Sequence, residues 1–464
     1  MNFHLSTLGV GTLLLAAACG REQELKLGNL PASTRGPAPS SAVRLPRDGG
    51  QARLYRVPSL EPSSWSTEEK LPPLERAIGA DPEQGLVYAI DTKHNVVGVD
   101  LETRRVRSFL EEVRYAAVGP DGALYTVDTG SVVTQLVRRT PVRFRSKLQG
   151  TPAELHGTMG GSLIARLAGN KAALEVLGSD QAPTSVPLPP GPMATSRYGD
   201  LVAVAADTAV VIYDPAAKRA PLVVHVSGHA RDVVFSPSGH RIYVARDDRN
   251  LLVLDRFTGD ALGEIELPGP SKELRRDEYG QWLLVRPAEG DSVWVVDVGK
   301  ARYAGAVATG WASDLPAVAA PSALLIRIGE DVRALNLAAE GFPEVGRVKD
   351  AAADLWLPLR WRPARDAEAL AVADSGAEGD DSAGAAAPSV FLQVSSSQNP
   401  TWARELGEKL KGAGLPASVL PPARSDEAYR VVLGPYGTRE QAEEAGKKIG
   451  MPSFVVAPQD PPER

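Results

Sequence analysis

The sequence predicts an all-β seven-bladed propeller followed by a small α+β domain of βαββαβ, ferredoxin-like order. Three observations carry this. A hydrophobic strand ending in Asp or Asn recurs from Asp100 to Asn336 at a near-constant interval. Each interval holds four short β-rich runs separated by turn residues. After Ser389 the pattern changes to strands alternating with helical spacing.

The clearest unit is HARDVVFSPSGHRIYVARDDRNLLVLDRFTGDALGEIEL, residues 229–267. Four strands in about forty residues is the size of one propeller blade. The third strand of successive units ends at Asp100, Asp214, Asp255, Asp297 and Asn336, and the last three intervals are 41, 42 and 39 residues. The gap from Asp100 to Asp214 is 114 residues, three intervals of 38, and two weaker units ending near Leu136 and Gly178 fit there. Turns recur as Asp81-Pro82-Glu83-Gln84-Gly85, Gly119-Pro120-Asp121-Gly122 and Ser236-Pro237-Ser238-Gly239. Pro and Gly at these places preset turn dihedrals. The count is seven units between about residues 75 and 348. The runs at 52–60 and 354–361 flank them, and either is available to complete a shared blade. A pair of β-sandwiches is the competing architecture, but sandwiches do not usually repeat one four-strand unit at constant period. Residues 236–259, with Ser-Pro-x-Gly, Arg-Ile-Tyr-Val-Ala and Leu-Asp-x-x-Thr-Gly, resemble the YVTN-type propeller family.

Within the repeat no catalytic constellation stands out. His94, His156, His225, His229 and His240 are scattered, without metal-ligand spacing, and no Gly-x-Ser-x-Gly elbow is present. The repeated acids follow hydrophobic strands and precede turns, which favours turn capping over a carboxylate ring. Tyr88, Tyr125, Tyr213, Tyr243 and Trp294 occupy strand positions and are expected to pack between blades. The propeller is therefore expected to be a non-catalytic interaction surface needing no cofactor. The alternative is an enzyme with its site in the channel.

The chain has 464 residues and net charge −6, with 38 Pro and 44 Gly. No block of Lys or Arg stands out, so nucleic acid is not an expected partner. One cysteine excludes an internal disulfide framework. That residue, Cys19, follows the apolar run LSTLGVGTLLLAAA at 5–18, too short to span a bilayer and of signal-peptide length. Leu15-Ala16-Ala17-Ala18-Cys19-Gly20 resembles the lipobox of bacterial lipoproteins, which implies lipidation at Cys19. Gly rather than Asp at position 20 implies the outer membrane, periplasmic face. An ordinary secretory signal with an incidental Cys is the competing reading. Residues 20–50 read as a disordered tether and 51–362 as the propeller. Residues 363–388 read as an acidic Ala/Gly linker, with a short helix at 367–373 as the alternative.

The last domain, 389–458, opens with a strand at 390–396. Residues 400–412 carry apolar side chains at 403, 406 and 410, which is helical spacing. Strands follow at 417–421 and at 429–433, the latter stopping at Gly434-Pro435. Thr438 and Gln441 form a capping box for a helix to about Ile449, and 453–457 is the last strand. Phe391-Leu392-Gln393-Val394-Ser395-Ser396-Ser397 and Tyr429-Arg430-Val431-Val432-Leu433-Gly434-Pro435-Tyr436 resemble the two signatures of the SPOR (sporulation-related repeat) domain. Ser395 and Ser397 stand where the family has Gly and Phe. The resemblance implies binding of peptidoglycan glycan strands stripped of peptides, enriched at division septa. It assigns the contact to Gln393, Ser396, Arg430 and Tyr436.

The chemistry agrees with that assignment. A Gln amide donates and accepts at once. An Arg fork grips a carboxylate, and a Tyr ring stacks on a sugar. Strand parity places 391, 393 and 395 on one face, and 430 and 432 together on theirs, with Ser396 on the opposite parity. The competing readings are an Arg430 ion pair with Glu427, a solvent-facing Gln393 and a core Tyr436. Trp402 reads as structural. An envelope or division protein is the partner expected on the propeller. A Cys19→Ala chain is expected to leave the membrane fraction on fractionation; sedimentation with membranes as before rules out the lipid anchor.

Overall fold

The computed structural model describes residues 40–361 and 390–456, apart from short stretches within each and most of 437–453. Cys19, the tether before residue 40, the linker and most of the second predicted helix lie outside the described residues. No helix of the described residues is long and apolar enough to cross a membrane.

Hydrophobic runs of the middle strands set the architecture. Leu86–Asp91 and Val96–Asp100 are buried at every position. A strand buried on both faces must lie inside a sheet that is itself packed on both sides. The last strand of a unit is different: Arg302–Ala308 alternates between exposed and half-buried positions. The first strands are intermediate, as in Leu74–Asp81. This gradient fits sheets standing radially, with first strands innermost and last strands at the rim.

Among the described residues of 40–361 the sheets sort into eight four-stranded groups, one more than the seven expected. Seven units occupy 74–348 as the repeat indicated. Two of them are joined in one six-stranded sheet, through the long strands Val202–Tyr213 and Leu222–Phe235. Left-handed residues fall in both long strands: Asp207 (φ 53°) lies within the fourth unit, between the stretch paired with Met193–Thr195 and the stretch paired with 222–225, and Gly228 (φ 74°) lies where the fourth unit passes to the fifth. The eighth group is built from both chain ends. Ser40–Leu45, Arg53–Arg56 and Glu61–Ser66 are joined by Leu355–Arg360 in the innermost place. Residues 40–45, expected in the tether, are therefore the second strand of the closing blade. Their burial rests on a partner more than 300 positions away, which local composition does not report.

Packing gives the same count. Eight apolar clusters each draw on two neighbouring blades, and they run in a closed cycle. Val43 and Leu355 of the closing blade pack with Val87 and Val97 of the first. On its other side, Ala42 and Trp356 pack with Leu325 and Val332 of the seventh. Tyr88, Tyr125, Tyr213, Tyr243 and Trp294 are all buried between blades, as expected.

A second repeat is invisible in the sequence. The innermost strands of the first, second, third, fifth and sixth units carry a register shift near their start, at Leu74/Arg76, Val113/Tyr115, Pro152/Glu154, Ala230/Asp232 and Ser271/Glu273. Such a bulge re-aims the next side chain. In four of these the re-aimed residue reaches the following blade. Arg76 donates to Arg114 O (3.1 Å), Glu154 accepts from Met193 N (3.0 Å), Asp232 from Leu274 N (2.7 Å) and Glu273 from Trp311 Nε1 (2.6 Å). In the seventh blade Asp314 accepts from Trp356 N at 2.9 Å.

These acids differ in their surroundings. Burial pushes the Glu154 carboxyl up, but hydrogen bonds from His156 and Arg166 outweigh it and hold the group below its ordinary pKa. Asp314 is likewise held low against burial, by the Arg327 fork. No cation reaches Asp232 among the described residues. Burial raises it to about 7, against the opposing hydrogen bonds from Leu274 N and Val233 N.

A carboxyl whose pKa rises on folding favours the protonated native state. Its contribution is therefore fully present below the unfolded value near 3.8 and is lost as pH climbs to about 7. Asp232→Asn keeps an oxygen for Leu274 N, so its melting temperature is expected to vary less between pH 4 and 7 and to exceed the parent's at pH 8. Parallel curves for the two proteins refute this. Trp356, fully buried against Tyr55 at 5.2 Å, is expected to cost about 3–5 kcal/mol on truncation to Ala, read by denaturant unfolding.

Candidate functional site

The C-terminal domain forms one sheet in the order Ala417–Leu420, Tyr429–Tyr436, Val390–Ser397, Phe454–Val456. That is the ferredoxin-like order the sequence indicated. The helix Pro400–Gly412 lies where its spacing predicted. Its Ala403, Leu406 and Leu410 pack with Leu392, Val394, Val431 and Leu433 of the two central strands. One face of the sheet is thereby the core.

The strand Tyr429–Tyr436 runs past Gly434-Pro435 rather than stopping there. A register shift between Val390 and Leu392 brings Val390 opposite Tyr436 and accommodates the proline, which has no N–H to give. Gly434 has φ +126°, and a Cβ there would lie 3.1 Å from Tyr436 Cδ2 and 3.3 Å from Phe391 Cδ1. Glycine lets both rings close over the chain at this point.

A second shift, between Gln393 and Ser395, decides the candidate site. Gln393 pairs with Val432, Ser395 with Val431 and Ser396 with Arg430. Residues directly opposite in an antiparallel pair share a face, as do 430 and 432. The bulge therefore returns position 396 to the row of Gln393, Val432 and Arg430. It moves Ser395 to the row of Val431. The parity expected for 395 and 396 is corrected on this point: uniform alternation does not survive an inserted residue.

Gln393 is only 5 % exposed, flanked by Val432 and Phe454 in the sheet. Arg430 is half-buried, between Ser396 and Leu420, and is not a lone charge. Tyr436 packs against the core cluster, and burial pushes its phenol pKa up. The register does not bring Tyr436 into the row of the other three. Glu427, the competing partner of Arg430, and the side chain of Trp402 lie outside the described residues.

On the propeller, the repeated acids cap turns. Asp100 Oδ1 accepts from Glu102 N and Thr103 N, Asp255 Oδ1 from Thr258 N and Asp297 Oδ1 from Lys300 N. Asn336 Oδ1 accepts from Ala338 N. Sequence reasoning missed Asp91 and Asp128, which cap the turns after the second strands in the same way. Their signal was present as a strand-ending acid one hairpin earlier. Among the described residues no group of three or more His, Cys, Asp or Glu is placed to hold a metal.

A family model described as SPOR domain matches residues 386–457. No curated protein sequence matches the chain. Among solved structures, apo AztD from Citrobacter koseri aligns with TM-score 0.50 and 11 % identity, over 69 % of this chain and 98 % of that one. The dihydro-heme d1 dehydrogenase NirN in complex with DHE aligns at 0.49 and 14 %, over 69 % and 74 %. Kluyveromyces lactis Hsv2 aligns at 0.45 and 10 %, over 59 % and 99 %. The AztD likeness, at 11 % identity, speaks to fold alone, and it is the fold the sheets and inter-blade cores had already drawn. The chain thus joins a β-propeller to a C-terminal SPOR domain.

Proposed function

We propose that this protein is a non-enzymatic binder of peptidoglycan, held in the bacterial envelope through lipid on Cys19. The SPOR domain grips glycan stripped of its peptides, at the division septum, through Gln393, Ser396 and Arg430, with Tyr436 at the margin. The propeller offers a surface to another envelope or division protein. The lipid places the chain on the periplasmic face of the outer membrane.

The observation that carries this reading is the SPOR match over 386–457. The bulge that puts Gln393, Ser396 and Arg430 in one row supports it. Amide, hydroxyl and guanidinium groups are the residue types that suit the acetamido groups, hydroxyls and lactyl carboxylates of bare glycan. The cation is the group with most to contribute, because hydrogen bonds to charged groups are worth about 1.5–3 kcal/mol.

Sedimentation of the full chain with purified sacculi, before and after amidase treatment, tests it. Binding is expected to rise on amidase-treated wall, and unchanged binding contradicts glycan specificity. Arg430→Ala is expected to weaken retention about tenfold, and more with Gln393→Ala, in protein whose circular dichroism is unchanged. Retention at parent strength in the folded double variant removes these residues from the contact.

A further inference from the structure

The chain enters and leaves the propeller at one point. Ser40, where the closing blade begins, is the register partner of Arg360, where it ends. The residues before Ser40 lead back to Cys19, and those after Arg360 lead on to the SPOR domain. A pull between those two parts of the chain therefore does not cross the ring. It falls on one end of the ladder that runs from Ser40↔Arg360 to Leu45↔Leu355.

Direction decides what such a pull meets. Antiparallel hydrogen bonds run perpendicular to their strands. Drawing Ser40 and Arg360 apart acts along those bonds, so the pairs are loaded one after another from that end. Drawing the strands lengthwise past each other loads all of them together. The side-chain links differ between the two ends. At the far end Asp354 takes Arg44 Nε at 2.5 Å and Arg47 N at 3.1 Å, and Arg47 Nε donates to Ala353 O at 3.1 Å. At the loaded end both partners meet Tyr279, in the turn after Ser271–Arg276 of the sixth blade. Ser40 Oγ lies 3.0 Å from its hydroxyl, which donates to Ala319 O of the seventh blade at 2.7 Å. The Arg360 guanidinium lies 3.8 Å over its ring. The Tyr279 backbone N–H is fixed in turn, donating to Asp277 Oδ1 at 2.7 Å. One side chain thus spans the sixth, seventh and closing blades.

We propose that the closing blade is a tension-released latch with Tyr279 as its catch. A pull between the segment before Ser40 and the segment after Arg360 frees both from Tyr279, peels the ladder from that end and opens the ring. Opening bares Ala42, Val43 and Trp356, each fully buried in the closed ring, so this apolar surface exists only under load. That such a pull arises in the envelope rests on the reading above, with lipid on Cys19 and glycan on the SPOR domain. The mechanics of the latch does not.

Optical-tweezer stretching of the full, unlipidated chain tests the latch without membrane or wall, so its failure is distinct from failure of the glycan reading in the sacculus assay. Cys19, the single cysteine, carries one handle. The other is placed at Ala367→Cys, to peel the ladder, or at Ala353→Cys, beyond its far end, to shear it. Peeling is expected to open the ring at about half the shearing force or less, because the pairs yield in turn. Tyr279→Phe keeps the ring under Arg360 and drops the hydroxyl, and Arg360→Gln drops the stacked cation. Each is expected to speed opening under a fixed peeling force about three- to tenfold, as the loss of one such contact implies, and to leave the rate under shear unchanged. Equal forces in the two geometries, or variants that change neither rate or both alike, overturn the proposal.

Discussion

The ring depends on one hydrogen-bonded ladder, six residues long, between Ser40–Leu45 and Leu355–Arg360. Every other blade is continuous in sequence; only the closing blade joins the two ends of the propeller. Without the ladder, two of the eight inter-blade cores would lose a wall, and Trp356 would lose the pocket it shares with Tyr55. Side chains reinforce the join. Asp354 takes Arg44 Nε and Arg47 N, tying the entering chain to the loop before the last strand. Closure removes the exposed edges that an open stack of sheets would present.

Between the other blades the apolar cores are supplemented by polar staples thrown from the inner bulges. A bulge is a local cost in pairing, but here it aims one side chain across to the next sheet. The same construction keeps the inner strands short of meeting at the axis. A ring of eight leaves space there, and the side chains facing it are not held by packing on that side. Arg275 and Arg360 line this space, stacked on Trp311 and Tyr279.

The repeat was legible because buried middle strands must be hydrophobic at every position and must end in a turn residue, so VVGVD, LLVLD and VWVVD announce themselves. The closing blade was legible in part: the runs at 52–60 and 354–361 were the expected candidates and both lie in it, but its second strand was not foreseen. SSAVRL is a short run behind a Pro- and Ser-rich stretch, and its burial comes from contacts with residues at the far end of the propeller. The helix of the last domain was read correctly from Ala403, Leu406 and Leu410. The glycan row was read from its residue types, but its geometry was hidden, because alternation cannot reveal a one-residue bulge at 393–395.

The order of the closing blade also bears on how the molecule is made. A polypeptide emerging from its N-terminus lays down three strands of that blade first, up to Ser66, and the innermost one last, from Leu355, with 288 residues between them. Until residue 360 is available, Ser40–Leu45 waits with an open edge, and the blade at the growing end of the row has a neighbour on one side only. Any product interrupted before residue 355 keeps two mismatched rims and no means of sealing them, making such fragments natural prey for proteases and seeds for clumping.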